Sequence, residues 1–220
     1  GTDALEERLL TPLEAETADS QRSQAPLLLL RSFLAAGGAE ALREADLTER
    51  ALRALNQAVQ NCGASLVKVE VAAAAGELLR QECAAEEGTA LPGSFDKALT
   101  LLTSLLAPSQ DQDVQAAGLR GLRVACYRNP RALAPGLKKV LPKLCELLVA
   151  AQRDGRLAQK ADGDRTLAVI LALSLDGVEP ASETVAQCGP DVRQALPGPA
   201  LLRLSKMPLD FTELKAKDLY

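Results

Sequence analysis

From residue 25 onward, apolar residues recur at the three- and four-residue spacing of amphipathic helices. Between them lie glycine, proline and N-cap residues that mark where helices start and stop. The pattern predicts helical segments over 27–36, 46–61 or 48–61, 65–85, 95–107, 112–127, 136–152 and 157–175. Because this period dominates, we expect a chain built of helices.

Several helix ends carry specific signals. The Gly37-Gly38 pair predicts a stop for the first segment, and Asp46 or Thr48 is the expected N-cap of the second. Ser94 and Asp111 are the expected N-caps of 95–107 and 112–127. Pro142 lies inside 136–152, where it either kinks one helix or marks the first turn of a new one.

The two ends of the chain have a different pattern. Residues 2–10 allow one or two helical turns, whereas 11–24 is polar, acidic and without period, which predicts a linker. Beyond residue 177 prolines accumulate and short helices are expected; the last, after Asp210, is interpreted as an end cap or as a docking motif. The predicted organisation is 1–25, an N-terminal helix and linker; 26–176, the main helical region; and 177–220, capping helices.

The predicted helices come in pairs that recur about every 46 residues. The run DVQAAGLRGL at 113–122 resembles the third helix of an armadillo repeat, and VLPKLCELL at 140–148 resembles the helix that opens the next repeat. Resemblance to the armadillo/HEAT superfamily implies an all-α fold, a right-handed α-solenoid. Gly121 replaces the asparagine with which peptide-clamping armadillo repeats hold backbone, so we expect no asparagine ladder. We interpret Gly118 and Gly121 as close-packing positions rather than a phosphate cradle.

Composition narrows the possible chemistry. Aromatic residues are only 2% of the chain, so the core must be built from Leu, Ala and Val, which favours packed helices over sheets. Histidine is absent, and the five cysteines are scattered without a CxxC pair. These features argue against Ser-His or Cys-His nucleophiles, zinc sites and a disulfide framework. We therefore expect no enzymatic activity, cofactor or metal.

No segment has the pattern of an export signal or a membrane span, so we expect a cytosolic or nuclear protein.

Charge is distributed unevenly along the chain. Residues 1–113 carry nine Lys/Arg and eighteen Asp/Glu, whereas 114–145 contain seven basic residues and no acid. Helical spacing places Arg120, Arg123 and Tyr127 on one stripe. Such a local positive field favours an acidic partner. The candidate partner-binding residues are Arg120, Arg123, Tyr127, Arg128, Arg131, Lys138, Lys139 and Lys143.

A structural role is the alternative for these arginines, which would then pair with acids of the adjoining repeat such as Glu70, Glu77 and Glu82. Nucleic acid is a less favoured partner, because the chain is acidic and lacks aromatic stacking platforms.

Two functions follow from these patterns. The first is a non-enzymatic scaffold or adaptor that binds an acidic protein or peptide through a groove or basic surface. The alternative is a structural helical-repeat domain of a larger enzyme or regulatory complex, which a start at Gly1-Thr2 without methionine favours.

Overall fold

The fold is described from a computed structural model, which describes residues 2–16, 24–82, 93–128 and 136–156, together with 163 and 166. Its elements in chain order are α1 (Thr2–Leu5), a π-helical turn (Glu6–Leu10), α2 (Thr11–Glu16), α3 (Gln24–Ala35), α4 (Ala39–Glu44), α5 (Thr48–Asn61), α6 (Ser65–Glu82), α7 (Gly93–Ser104), α8 (Gln112–Arg128) and α9 (Leu137–Arg153). The described residues contain helices and turns and no strand, which confirms the all-α prediction for this part of the chain. The helix predicted at 157–175 and the caps predicted at 177–220 lie outside the description, apart from residues 163 and 166.

The first sixteen residues differ from the prediction. The backbone stays helical at Leu5 and at Thr11, so α1, the π-helical turn and α2 form one continuous N-terminal helix. The expected linker is therefore wrong for Thr11–Glu16. Pro12 has no backbone N–H to donate, and the wider π-helical turn directly before it accommodates this interruption. Leu13 is fully buried, so this short helix belongs to the core.

The N-terminal helix is also held by a polar contact. The Arg50 guanidinium on α5 donates two hydrogen bonds of 2.8 Å to the carboxylate of Glu14 and lies 3.3 Å from Glu6. Arg50 Nη2 also donates to the Thr11 hydroxyl at 3.4 Å. Hydrogen bonding to Arg50 holds the pKa of Glu14 below its ordinary value. One arginine thus ties the N-terminal helix to α5.

Glycine and aspartate end the next two helices. After α3, Gly37 has φ +96°, and the N–H of Gly38 donates to the Phe33 carbonyl at 3.0 Å. This is a Schellman motif, and it confirms the predicted helix stop. After α4, Asp46 takes the same left-handed position with φ +56°, and the N–H of Leu47 donates to the Leu42 carbonyl at 2.8 Å.

The sequence did not predict α4, and the role expected for Asp46 was therefore wrong. Asp46 ends α4 rather than capping α5, and α5 starts after Leu47 without a side-chain cap. The sequence missed α4 because the six residues of this helix are too few to show a helical period.

The later helices follow the prediction more closely. The Asp111 carboxylate accepts the backbone N–H of Asp113 at 3.0 Å, which confirms Asp111 as the N-terminal cap of α8. Ser94 lies inside α7, which begins one residue earlier, at Gly93. Helix α9 runs without interruption through Pro142, so this proline does not start a new helix.

The helices pack in two layers. Helix α6 packs between α3 and α8, and we call these three helices the A layer. The N-terminal helix, α5, α7 and α9 contact one another in that order and form the B layer. Helices α5 and α7 both pack on α6, so a core of leucine and alanine fills the space between the layers.

Two helices of the A layer, α6 and α8, approach each other closely at a pair of glycines. Gly76 on α6 faces Gly121 on α8 so closely that a Cβ atom at position 76 would lie 2.7 Å from the Cα of Gly121. A Cβ at position 121 would lie 3.0 Å from Leu102 Cδ2 and 3.2 Å from the Ala72 carbonyl oxygen. At position 118 it would lie 3.0 Å from Leu106 Cδ2. These contacts confirm that Gly118 and Gly121 are close-packing positions.

Polar contacts between helices join residues at a recurrent sequence separation. In the A layer, Arg31 Nη1 lies 3.0 Å from a Glu70 carboxylate oxygen, 39 residues on. In the B layer, Lys139 Nζ donates to Asp96, 43 residues back, at 2.6 Å. Other hydrogen bonds of this kind link residues 36 to 48 positions apart. The helices joined by these bonds are therefore about one predicted repeat apart in the sequence.

None of the described helices is both long enough and apolar enough to cross a membrane.

Candidate functional site

The two arginines predicted to share one stripe of α8 occupy different environments. Arg120 is exposed, and it makes no hydrogen bond or ion pair with any described residue. Arg123 is buried, with 7% of its surface exposed, and its Nη1 donates to the Thr166 hydroxyl at 2.8 Å. The boundary between solvent and packed chain falls between these two side chains, which lie about 60° apart around the helix. Arg123 therefore does not lie on an open surface with Arg120.

Lys139 and Lys143 of α9 are exposed but already have acidic neighbours. Lys139 contacts Asp96 of α7 at 2.6 Å, and Lys143 contacts Glu146, three residues later, at 2.8 Å. Both pairs are about half exposed, so they neutralise charge locally without fixing the side chains strongly. The positive field expected for this stretch is weakened at both positions.

Four of the predicted site residues lie partly or wholly outside the description. Arg131 is outside the described residues. Tyr127, Arg128 and Lys138 lie in described helices, but their side chains are outside the description. Their assignment to a partner-binding surface stays a prediction.

Two of the three acids expected to pair with the α8 arginines have other partners. Glu70 pairs with Arg31 of α3, and Glu77 pairs with Arg80 on its own helix at 2.7 Å. The side chain of Glu82 is outside the description. Pairing between neighbouring helices thus occurs in the A layer, where Arg31 of α3 pairs with Glu70 of α6.

A groove of about 420 Å³ lies between α5 and α7 in the B layer. Glu49, Leu52, Arg53 and Asn56 line one wall at helical spacing, and residues of α7 line the other wall: Asp96, Lys97, Thr100, Leu101 and Ser104. Leu52 and Leu101 are buried and provide an apolar base. The sequence analysis did not predict this site, because no single helix shows it.

At one end of the groove the charged side chains form hydrogen-bonded pairs. At the other end, the charge of Arg53 acts on Glu14 of the N-terminal helix, whose pKa is lowered first by its hydrogen bond to Arg50 and in smaller part by Arg53. Lys97 donates to Glu49 across the groove, and Asp96 accepts from Lys139. One turn further along α5, Arg53 and Asn56 are exposed, and neither makes a hydrogen bond with any described residue. The facing Thr100 and Ser104 hydroxyls donate to carbonyls of their own helix, at 2.7 Å each. Their oxygen lone pairs remain able to accept hydrogen bonds.

The described part of the chain shows no group of three or more Cys, Asp or Glu residues that could hold a metal ion. The chain has no histidine to complete such a group.

Comparisons with protein-family models, with curated proteins and with solved structures find no match to this chain. The armadillo/HEAT resemblance therefore stays a prediction that rests on the sequence pattern.

Proposed function

We propose that this protein is a non-enzymatic scaffold of stacked helix pairs that binds an acidic protein or peptide. The proposed architecture is a right-handed α-solenoid of the armadillo/HEAT type. In support of it, α5, α7 and α9 begin at residues 48, 93 and 137, and contacts between helices join residues 36 to 48 apart. Solenoids expose a continuous layer of helices, which suits them to binding other proteins.

The observation that carries the binding role is the state of Arg120. This guanidinium is exposed in the A layer and has no partner among the described residues, whereas Lys139 and Lys143 pair with acids and Arg123 is buried. An unpaired exposed arginine can form a bidentate contact with a carboxylate at little desolvation cost. Arg120 is therefore the centre of the proposed surface, with Tyr127 and Arg128 further along the same helix.

The ion pairs of the B layer favour the second candidate function, a structural helical-repeat domain of a larger enzyme or regulatory complex. Lys139 connects α9 to α7 and Lys97 connects α7 to α5. These basic residues therefore join helices within the chain rather than being available to bind another protein. In this function the helices mainly hold other parts of an assembly at fixed distance. For either function we propose the cytosol or the nucleus as the compartment.

Affinity capture from a cytosolic and nuclear extract tests the binding role. The bait is the whole chain, compared with Arg120→Glu and with the matched control Arg8→Glu, which reverses another exposed arginine. We expect the wild type and the control to capture the same acidic protein, and Arg120→Glu to lose it.

Salt provides the second arm of this test. Raising it from about 0.05 to 0.5 M shortens the Debye length from more than 10 Å to about 4 Å, so association should slow. If neither the Arg120→Glu substitution nor the salt concentration changed capture, binding through Arg120 would be rejected and the structural-domain alternative would remain.

A further inference from the structure

The end of the B-layer groove at Arg53 and Asn56 has the chemistry of a carboxylate site. Arg53 and Asn56 lie three residues apart on α5, so both side chains leave the same face of the helix. Both are exposed, and neither has a hydrogen-bond partner among the described residues. Together they offer a guanidinium and an amide N–H₂ to one anion.

The rest of the groove suits a peptide. Leu52 and Leu101 form an apolar base that can receive an aliphatic side chain. The hydroxyl oxygens of Thr100 and Ser104 stand opposite Arg53 and can accept backbone N–H groups, since their own hydrogens already bond to helix carbonyls. A cavity of about 420 Å³ has room for a few residues.

The acids at the other end limit the charge of the ligand. Glu49 and Asp96 border the groove and already pair with Lys97 and Lys139, so this end offers no free cation to a second acidic group of a ligand. A ligand with one carboxylate among apolar residues matches the charges at both ends of the groove.

We infer that the groove between α5 and α7 binds a short peptide segment of a partner protein, with one acidic side chain held by Arg53 and Asn56 and an adjacent aliphatic side chain on Leu52 and Leu101. This inference rests on the proposed scaffold function but uses the layer opposite to Arg120. A partner could therefore occupy either surface independently.

The test is a titration of isotopically labelled protein followed by NMR. The probe is an acetylated five-residue peptide with a central glutamate between two leucines, and its counterpart carries glutamine in place of the glutamate. We expect the glutamate peptide to shift the Arg53 Nε–H and the Asn56 side-chain amide. The glutamine peptide should bind about tenfold more weakly, because a charge-assisted hydrogen bond is lost.

Substitutions separate this site from others. Arg53→Glu should weaken binding of the glutamate peptide at least about tenfold, whereas the matched control Arg8→Glu should leave it unchanged. Ser104→Trp fills the groove without changing its charge and should also weaken binding. Unaltered melting temperatures would show that the variants are folded.

Three results would overturn the inference. They are the absence of shifts with either peptide, equal binding of both peptides, and unchanged binding by the folded Arg53→Glu variant. If Arg120→Glu abolished peptide binding instead, the groove assignment would fail while the proposed A-layer function stood. Conversely, a failed capture by the Arg120 surface would not alter the peptide titration.

Discussion

The contacts between neighbouring helices differ between the A and B layers. In the A layer, α6 and α8 approach until Gly76 meets Gly121, and leucine and alanine fill the space around this crossing. In the B layer, α5, α7 and α9 are joined at their surface by ion pairs such as Lys97–Glu49 and Lys139–Asp96, whose side chains are about half exposed. Close packing excludes water, whereas exposed pairs remain solvated and contribute little.

This difference indicates where stability and where binding are located. Substitutions that add or remove atoms in the A-layer core should have large effects, because neighbouring helices cannot relax freely. Substitutions among B-layer charges should change the surface potential and leave the fold intact. The groove at Arg53 lies among these B-layer charges, where substitutions should leave the fold intact.

The largest expected effect comes from Leu102→Ala. Leu102 is fully buried, and its side chain packs against the helix face around Gly121. Truncation should lower the free energy of unfolding by about 2–5 kcal/mol, measured by urea denaturation. The control Leu66→Ala changes a leucine that is 52% exposed, and its effect should be far smaller. Similar losses in both variants would contradict the assignment of the core.

The next effect should come from Gly76→Ala. The new methyl group would lie 2.7 Å from the Gly121 Cα, so the two helices would have to separate. We expect a loss of about 1–3 kcal/mol despite the better helix propensity of alanine. Gly93→Ala is the matched control, since a Cβ there meets nothing within 4 Å. A Gly76→Ala protein as stable as the control would show that α6 and α8 are further apart at this crossing than the 2.7 Å contact requires.

A smaller, pH-dependent effect is expected at the N-terminal helix. Because Arg50 lowers the pKa of Glu14 in the folded protein, the ionised carboxylate stabilises the fold above its ordinary pKa of 4.5. This contribution disappears as the pH falls through the lowered value. Glu14→Gln should therefore be less stable than the wild type at pH 7, by at most about 1 kcal/mol, with the difference vanishing towards pH 2. Chemical denaturation at both pH values measures it, and a difference that grows in acid would refute the contact.

The smallest effect should be that of Lys139→Met. Its pair with Asp96 is exposed, so its loss should change the free energy of unfolding by no more than about 0.5 kcal/mol. Thermal unfolding at low and high salt would check this. A loss above about 2 kcal/mol would mean that the B layer depends on its ion pairs as strongly as the A layer depends on packing.

The sequence predicted α3, α5, α6, α7, α8 and α9 well, because their patterns are local. The Gly37 stop and the Asp111 cap each depend on residues within one turn, and both are confirmed. Short elements were missed for the same reason. Thr11–Glu16 offers one buried leucine and no period, and α4 is too short to show one.

The candidate sites were harder to predict, since each depends on which helix lies beside which. Helical spacing placed Arg120 and Arg123 on one stripe, but it could not show that packing buries Arg123 beside Thr166. Gly76 lies within an alanine-rich helix and was not predicted to be a close-packing position. It nevertheless lies 45 residues before Gly121, a separation close to the repeat period. That spacing was the signal that could have revealed the crossing. The groove at Arg53 needs two helices, so neither sequence segment shows it alone.

The most direct test of the two-layer account is the contact between Gly76 and Gly121. In protein with labelled glycine α-carbons, the account predicts a strong nuclear Overhauser effect between the α-protons of these two residues. The reason is that one α-proton of Gly76 stands in place of the Cβ atom that would lie 2.7 Å from the Gly121 Cα. Absence of this cross-peak, in spectra that show the sequential contacts of α6 and α8, would contradict the packing of the A layer.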